Sequence, residues 1–176
     1  MILAVMALLG GCAHRPGATP RAIALDELLA FAEPSRCEAA PVHTNLLGAM
    51  IAGDANVGFR PGRVVAPSPQ SSAFGNVYLH PYDAHTVIGV PVRGTVFGLA
   101  LVAIEQSLPE GGDPGETHYR FKAEPAFVER VLAGRGFPVK LGQTVVIGPP
   151  DGYEQFIALT VDQVYPGHTL LSCGYQ

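Results

Sequence analysis

Apolar positions change their period near residue 77, and the change divides the chain into a helical stretch, a loop and a run of strands. Over residues 22–33, Ile23, Leu25, Leu28, Leu29 and Phe31 are spaced like one face of a helix. Asp26 and Glu27 fall in its first half and Pro34 stops it, which predicts an amphipathic helix packed on the body. Residues 44–52 predict a second helix, with Thr44 or Asn45 as N-cap, an apolar face of Leu46, Leu47, Met50 and Ile51, and Gly53 as the stop. No period is sustained from 53 to 76, where Gly53, Gly58, Pro61, Gly62, Pro67, Pro69 and Gly75 alternate with serines. A loop of that length is either functional or a plain irregular connection.

After the loop the pattern reads as strands. Residues 77–82 and 86–92 are short β segments, and 95–105 is apolar at odd and even positions alike, as in a strand covered on both faces at the centre of a sheet. A Gly-rich loop at 108–116 leads into 117–123, where Thr117, Tyr119 and Phe121 alternate with His118, Arg120 and Lys122. That alternation marks a strand with one wet face, and pairing it with 95–105 makes a long antiparallel hairpin. Pro125 opens a short helix over about 125–135, with Phe127, Val128, Val131 and Leu132 as its stripe. Strands follow at 143–147, 155–165 and 169–175, separated by Pro149-Pro150-Asp151-Gly152 and by Pro166-Gly167. The expected class is α+β, with a mostly antiparallel β-sheet in the C-terminal two-thirds, two N-terminal helices and one short helix packed on it. There is no internal repeat.

Composition changes this picture little. With 48% hydrophobic and 15% charged residues the chain has the profile of a folded domain, and its 21 Gly and 16 Pro imply long loops and many turns. The net charge of −4 and the lack of any basic run argue against nucleic acid as a partner.

The N-terminus carries the most specific signal. Met1 to Leu9 are all apolar, and Gly10-Gly11-Cys12 and a polar, Pro-containing stretch follow. Such a run is too short to span a bilayer and has the shape of a secretory signal. Leu9-Gly10-Gly11-Cys12 resembles the lipobox of bacterial lipoproteins. That resemblance implies acylation of Cys12, cleavage before it, and a membrane anchor on the mature chain. Ala13 is not the aspartate associated with inner-membrane retention, so the resemblance points to the outer membrane, facing the periplasm. The expected organisation is a signal peptide at 1–11, a lipidated tether at 12–22 and a single globular domain at 23–176. A buried N-terminal helix is the alternative, and Gly10-Gly11 would break it.

With Cys12 acylated, Cys37 and Cys173 remain, and in an oxidising compartment such a pair tends to bridge. Closing a loop of 136 positions would stabilise the fold by about 5 kcal/mol through chain entropy. Two unpaired buried thiols, or a nucleophilic Cys37 served by His118 or His168, are the alternatives.

Candidate chemistry is sparse. His80, Asp83 and His85 bring two imidazoles and a carboxylate within six residues, the ligand types of Zn²⁺, with His118 or His168 to complete a site. As strand residues His80 and His85 would face opposite sides, so only a turn around Pro81 could aim them together. No G-x-S-x-G elbow or phosphate-binding glycine motif is present. Trp is absent, which leaves Tyr78, Tyr82, Tyr119 and Tyr153 as the rings that could stack a sugar. Arg60 and Arg63 could grip an anionic group, or simply be solvated. No catalytic residue stands out and no cofactor is implied. These readings favour a non-enzymatic, membrane-anchored envelope module whose sheet and 53–76 loop bind another envelope component. The rivals are an envelope enzyme, hydrolytic or metal-dependent through His80, Asp83 and His85, and a small apolar ligand carrier with a pocket between the sheet and the 125–135 helix.

Overall fold

The structure is a computed structural model that describes residues 22–54, 57–82, 85–109, 115–148 and 154–175. Cys12, Asp83 and the 149–152 turn lie outside the described residues. The chain runs through β1 (Ile23–Ala24), β2 (Phe31–Glu33), β3 (Glu38–Ala39), helix α1 (Pro41–Ala49), β4 (Ile51–Ala52) and β5 (Arg60–Pro61). There follow β6 (Tyr78–Pro81), β7 (His85–Val96), β8 (Leu99–Pro109), β9 (Glu116–Phe121), helix α2 (Pro125–Ala133), β10 (Thr144–Ile147), β11 (Gln155–Val161) and β12 (Thr169–Tyr175). Eight strands form one sheet in the order β1-β7-β8-β9-β12-β11-β10, with β6 also paired to β7. The pairs β2–β3 and β4–β5 form separate small ribbons.

This architecture corrects the expected α+β class. The described residues hold two helices of nine residues each, and the sheet is mixed, because β1 runs parallel to β7. The helix expected over 22–33 is not formed. Ile23 and Ala24 pair with Gly94 and Thr95, and the Leu25 amide donates to Thr95 O. A Cβ on Gly94 would come within 2.6 Å of Leu25 Cδ1 and 2.8 Å of Ile23 O, so glycine is what admits the added strand. One turn, closed by Leu29 N–H to Leu25 O, is enough to bury Leu25, Leu28 and Leu29 together. Tertiary pairing here outweighs a helical pattern of three leucines. The second helix starts at Pro41, three residues before the expected start. Proline at the first helical position fits there because it has no amide proton to leave unsatisfied, and Thr44 instead back-bonds to Ala40 O from inside the helix.

One face of the sheet carries the core. Val90, Val92 and Val96 of β7, Leu99, Leu101 and Ile104 of β8, Tyr119 and Phe121 of β9, and Ile157, Leu159 and Leu171 meet Leu25, Leu29, Leu46 and Met50. Helix α2 closes the same face with Val128 and Leu132, which are fully buried, beside Phe137. Each such side chain stabilises the fold by about 1.5–3 kcal/mol on burial. The β7–β8 hairpin turns at Phe97 and Gly98, both at positive φ (55° and 77°), as a two-residue turn between right-twisted strands requires. Asp26 Oδ1 accepts the Phe97 amide at 2.8 Å and ties this turn to the N-terminal segment.

Registered pairing sets what lies on the opposite face. Tyr78, Gly89, Glu105, His118, Ser172 and Ala158 face one another in a row from β6 across to β11. Pro91, Ala103, Arg120, Leu170 and Thr160 form the next row. Directly paired residues share a face, so this second surface is assembled from five or six separate strands.

Candidate functional site

The open face holds a hollow of about 680 Å³, floored by Val87, Pro91, Val102 and Ala103 and walled by Tyr78, His80, Tyr82, Glu105, Arg120, Tyr165 and His168. At its base Arg120 is held from every side. Its Nη2 lies 3.0 Å from Glu105 Oε2 and its Nη1 3.3 Å from Glu105 Oε1. Its Nε donates to Asp162 Oδ2, and its guanidinium carbon stands 4.5 Å from the centroid of the Tyr165 ring.

Asp162 follows β11, and its other oxygen accepts the amides of Val164 (2.8 Å) and Tyr165 (3.0 Å). That local turn folds residues 162–168 back so that Tyr165 covers Arg120. Burial alone would raise the Asp162 carboxyl, but the Arg120 hydrogen bond, the two amides and the Arg120 charge together hold it below its ordinary value. For Arg120 burial opposes the charge, and the two carboxylates outweigh it and raise its pKa further.

Tyr78 reaches the same network from the edge of the sheet, its hydroxyl donating to Glu105. The reach depends on Gly89: a Cβ there would meet Tyr78 Cζ at 2.4 Å and Glu105 Cγ at 2.9 Å. Burial, then the hydrogen bond and charge of Glu105, push the Tyr78 phenol well above its ordinary range.

Of the expected metal residues, His80 lies on β6 and His85 opens β7. The rings of His80 and His85 both pack on that of Tyr82, His80 at 4.6 Å and tilted by 64°, His85 stacked at 4.9 Å and 13°. Each imidazole is thus engaged with the Tyr82 ring, and Asp83 lies outside the described residues. Among the described residues no three His, Cys, Asp or Glu side chains are grouped to hold a metal ion. Of the two histidines considered as further ligands, His168 lines the hollow, whereas His118, paired with Glu105 in the same row, is turned to other partners, its Nδ1 2.9 Å from Ser172 Oγ and its Nε2 3.6 Å from Glu116.

Ser172, His118 and Glu116 form a nucleophile–base–acid sequence by type. The serine is buried in the middle of β12, which is paired on both sides by β9 and β11. Its neighbouring amides are committed to those ladders, so the strand offers no pair of free donors for an oxyanion, and the His–Glu separation exceeds a hydrogen bond. The arrangement fits a cross-strand polar row.

Arg60 and Arg63 are both exposed, on β5 and just beyond it, and neither makes an ion pair among the described residues. Arg63 borders a separate cleft of about 530 Å³ with Ser71 and Phe74. Cys37 and Cys173 stand at disulfide distance, Cα–Cα 6.0 Å, joining the segment after β2 to β12.

A second polar contact lies on the core side. His43 of α1 is fully buried, its Nδ1 3.1 Å from Ala30 O and its Nε2 3.1 Å from the Tyr119 hydroxyl. Because a carbonyl only accepts, Nδ1 carries the proton and Nε2 receives the Tyr119 hydrogen. Burial pushes the imidazole down to about 4, against a smaller opposite effect of the Ala30 carbonyl. Phe31 packs edge-on to His43, Tyr119 and Phe137 around it.

Sequence reasoning did not single out Glu105, Arg120, Asp162 or Tyr165. The signals were present: Glu105 is the one charged residue in the apolar run 95–105, and Asp162 interrupts an otherwise strand-like segment. What sequence could not supply was the register that brings them together. No protein-family model, curated protein or solved structure matches the chain.

Proposed function

We propose that the protein is an exported lipoprotein, anchored through lipid on Cys12 to the outer membrane and facing the periplasm, whose domain is a binding module of the cell envelope. The observation that carries the binding part is the Glu105–Arg120–Asp162 network at the base of an open hollow. Burying two carboxylates and a guanidinium adds little stability over apolar packing, so such a network in a concavity marks a functional site. The hollow's volume falls within the range of about 300–1,000 Å³ common for small-molecule sites. The anchoring part is supported by Leu9-Gly10-Gly11-Cys12 and by a cysteine pair at disulfide distance, as suits an oxidising compartment. Among the described residues no helix is long and apolar enough to cross a membrane.

The test is the intact mass of protein from the membrane fraction, non-reduced and after thiol alkylation. The expected product begins at lipid-modified Cys12 and takes up no alkylating agent. An unprocessed chain with free thiols would overturn the proposal.

A further inference from the structure

We infer that the hollow binds a small organic ammonium ion, a deepening that rests on the binding reading above. Three observations point to a cation. The lining contains one Arg and no Lys, and that Arg120 is engaged, with Nε on Asp162, both terminal nitrogens on Glu105 and one face of its guanidinium on the Tyr165 ring. An anion therefore finds no free guanidinium fork. The network's own charges, two carboxylates against one guanidinium, leave a net negative charge at the base.

The walls are aromatic: Tyr78, Tyr82 and Tyr165 line the same space, together with the imidazoles of His80 and His168. Tyrosine faces around a residual carboxylate charge are the chemistry that recognises quaternary and primary ammonium groups. Tyr82 and Tyr165 remain 55% and 49% exposed, so each leaves surface open to an incoming ligand beside the His85 ring stacked on the one and the Arg120 guanidinium over the other. The apolar floor accepts methylated nitrogen better than a fully hydrated ion, which favours an alkylated amine over a bare metal cation.

The experiment titrates choline into the full chain carrying Cys12→Ser, followed by amide NMR shifts, with inorganic phosphate and glucose as parallel probes. The expected result is saturable choline shifts in β6, β8 and residues 162–168, with phosphate and glucose silent. Tyr82→Leu, at an exposed position, should raise the choline Kd at least tenfold while leaving the spectrum folded, and Glu105→Gln should weaken binding likewise. Unchanged choline affinity in both variants overturns the inference. Phosphate or glucose shifts at those amides with choline silent overturn the ligand class and leave the binding reading standing, and silence to all three probes overturns both.

Discussion

His43 makes the domain lose stability in mild acid, because burial keeps its imidazole neutral. In the unfolded chain its imidazole titrates at the ordinary value of 6.5, and in the fold burial depresses it to about 4. The unfolded state therefore takes up a proton first as pH falls. Stability contributed by the neutral ring is complete above 6.5 and declines as pH drops from there toward 4, where it levels off. At pH 5.0 the unfolded side chain is almost fully protonated and the buried ring is still neutral. One and a half pH units at 1.36 kcal/mol each give a loss of about 2 kcal/mol relative to pH 7.5. Urea unfolding at both pH values, on the wild type and on His43→Asn, isolates that difference. Asparagine keeps a donor toward Ala30 O but cannot titrate, and every other histidine is common to the two proteins. The wild type should lose about 2 kcal/mol more than the variant across the interval. Equal losses would falsify the assignment of a neutral, buried His43 between Ala30 and Tyr119.

Arg120→Met leaves Glu105 and Asp162 facing each other without their cation and should cost about 3–5 kcal/mol in urea unfolding; a cost under about 1 kcal/mol would show that solvent already screens the network. Asp162, held below its ordinary 3.8, contributes stability that is complete above that value and lost as pH falls further, so acid unfolding of Asp162→Asn should start from a lower plateau with a shallower slope. Gly98→Ala meets open space but sits at φ +77°, so its cost of about 1 kcal/mol is purely conformational and should appear as a lower melting temperature with unchanged packing. Cys37→Ser opens a loop of 136 residues and should remove up to about 5 kcal/mol, matched by adding reductant to the wild type; no change on reduction would mean that the two sulfurs are not bonded.

How far the sequence was legible depends on whether a feature is local. Strand alternation at 117–123 marks the wet side of β9 because period-two patterning needs no partner. The 22–33 segment misleads for the complementary reason: Leu25, Leu28 and Leu29 are spaced for a helix turn, and a single turn is what forms, but the residues on either side answer to Gly94, Thr95 and Ala39. Nothing local could announce a parallel strand added some seventy residues upstream of its partner. The site was illegible on the same grounds. Glu105, Arg120 and Asp162 are separated by 15 and 42 positions and meet only once β8, β9 and the end of β11 are in register. The His80–His85 pair, dense in sequence, instead packs on the Tyr82 ring and, among the described residues, belongs to no group of three metal-ligating side chains. Sequence density and spatial convergence are separate properties, and here they select different residues.

The two kinds of residue around the hollow should also fail differently. At its base lies a network in which the Arg120 side chain is 13% exposed and that of Asp162 almost wholly enclosed. Such groups hold one geometry because every alternative leaves a charge without a partner. The rim is made of rings at a hairpin tip and in the 162–168 turn, where exposure is high and packing contributes little. Substitutions in this base network should therefore act on stability and drag binding with it. Tyr82→Leu in the rim should change unfolding by less than about 0.5 kcal/mol and act on binding alone. Measuring both quantities on Tyr82→Leu and Arg120→Met tests that separation directly. If Tyr82→Leu destabilises the fold as much as Arg120→Met, the hairpin tip is part of the scaffold and the hollow has no independent rim for a ligand to use.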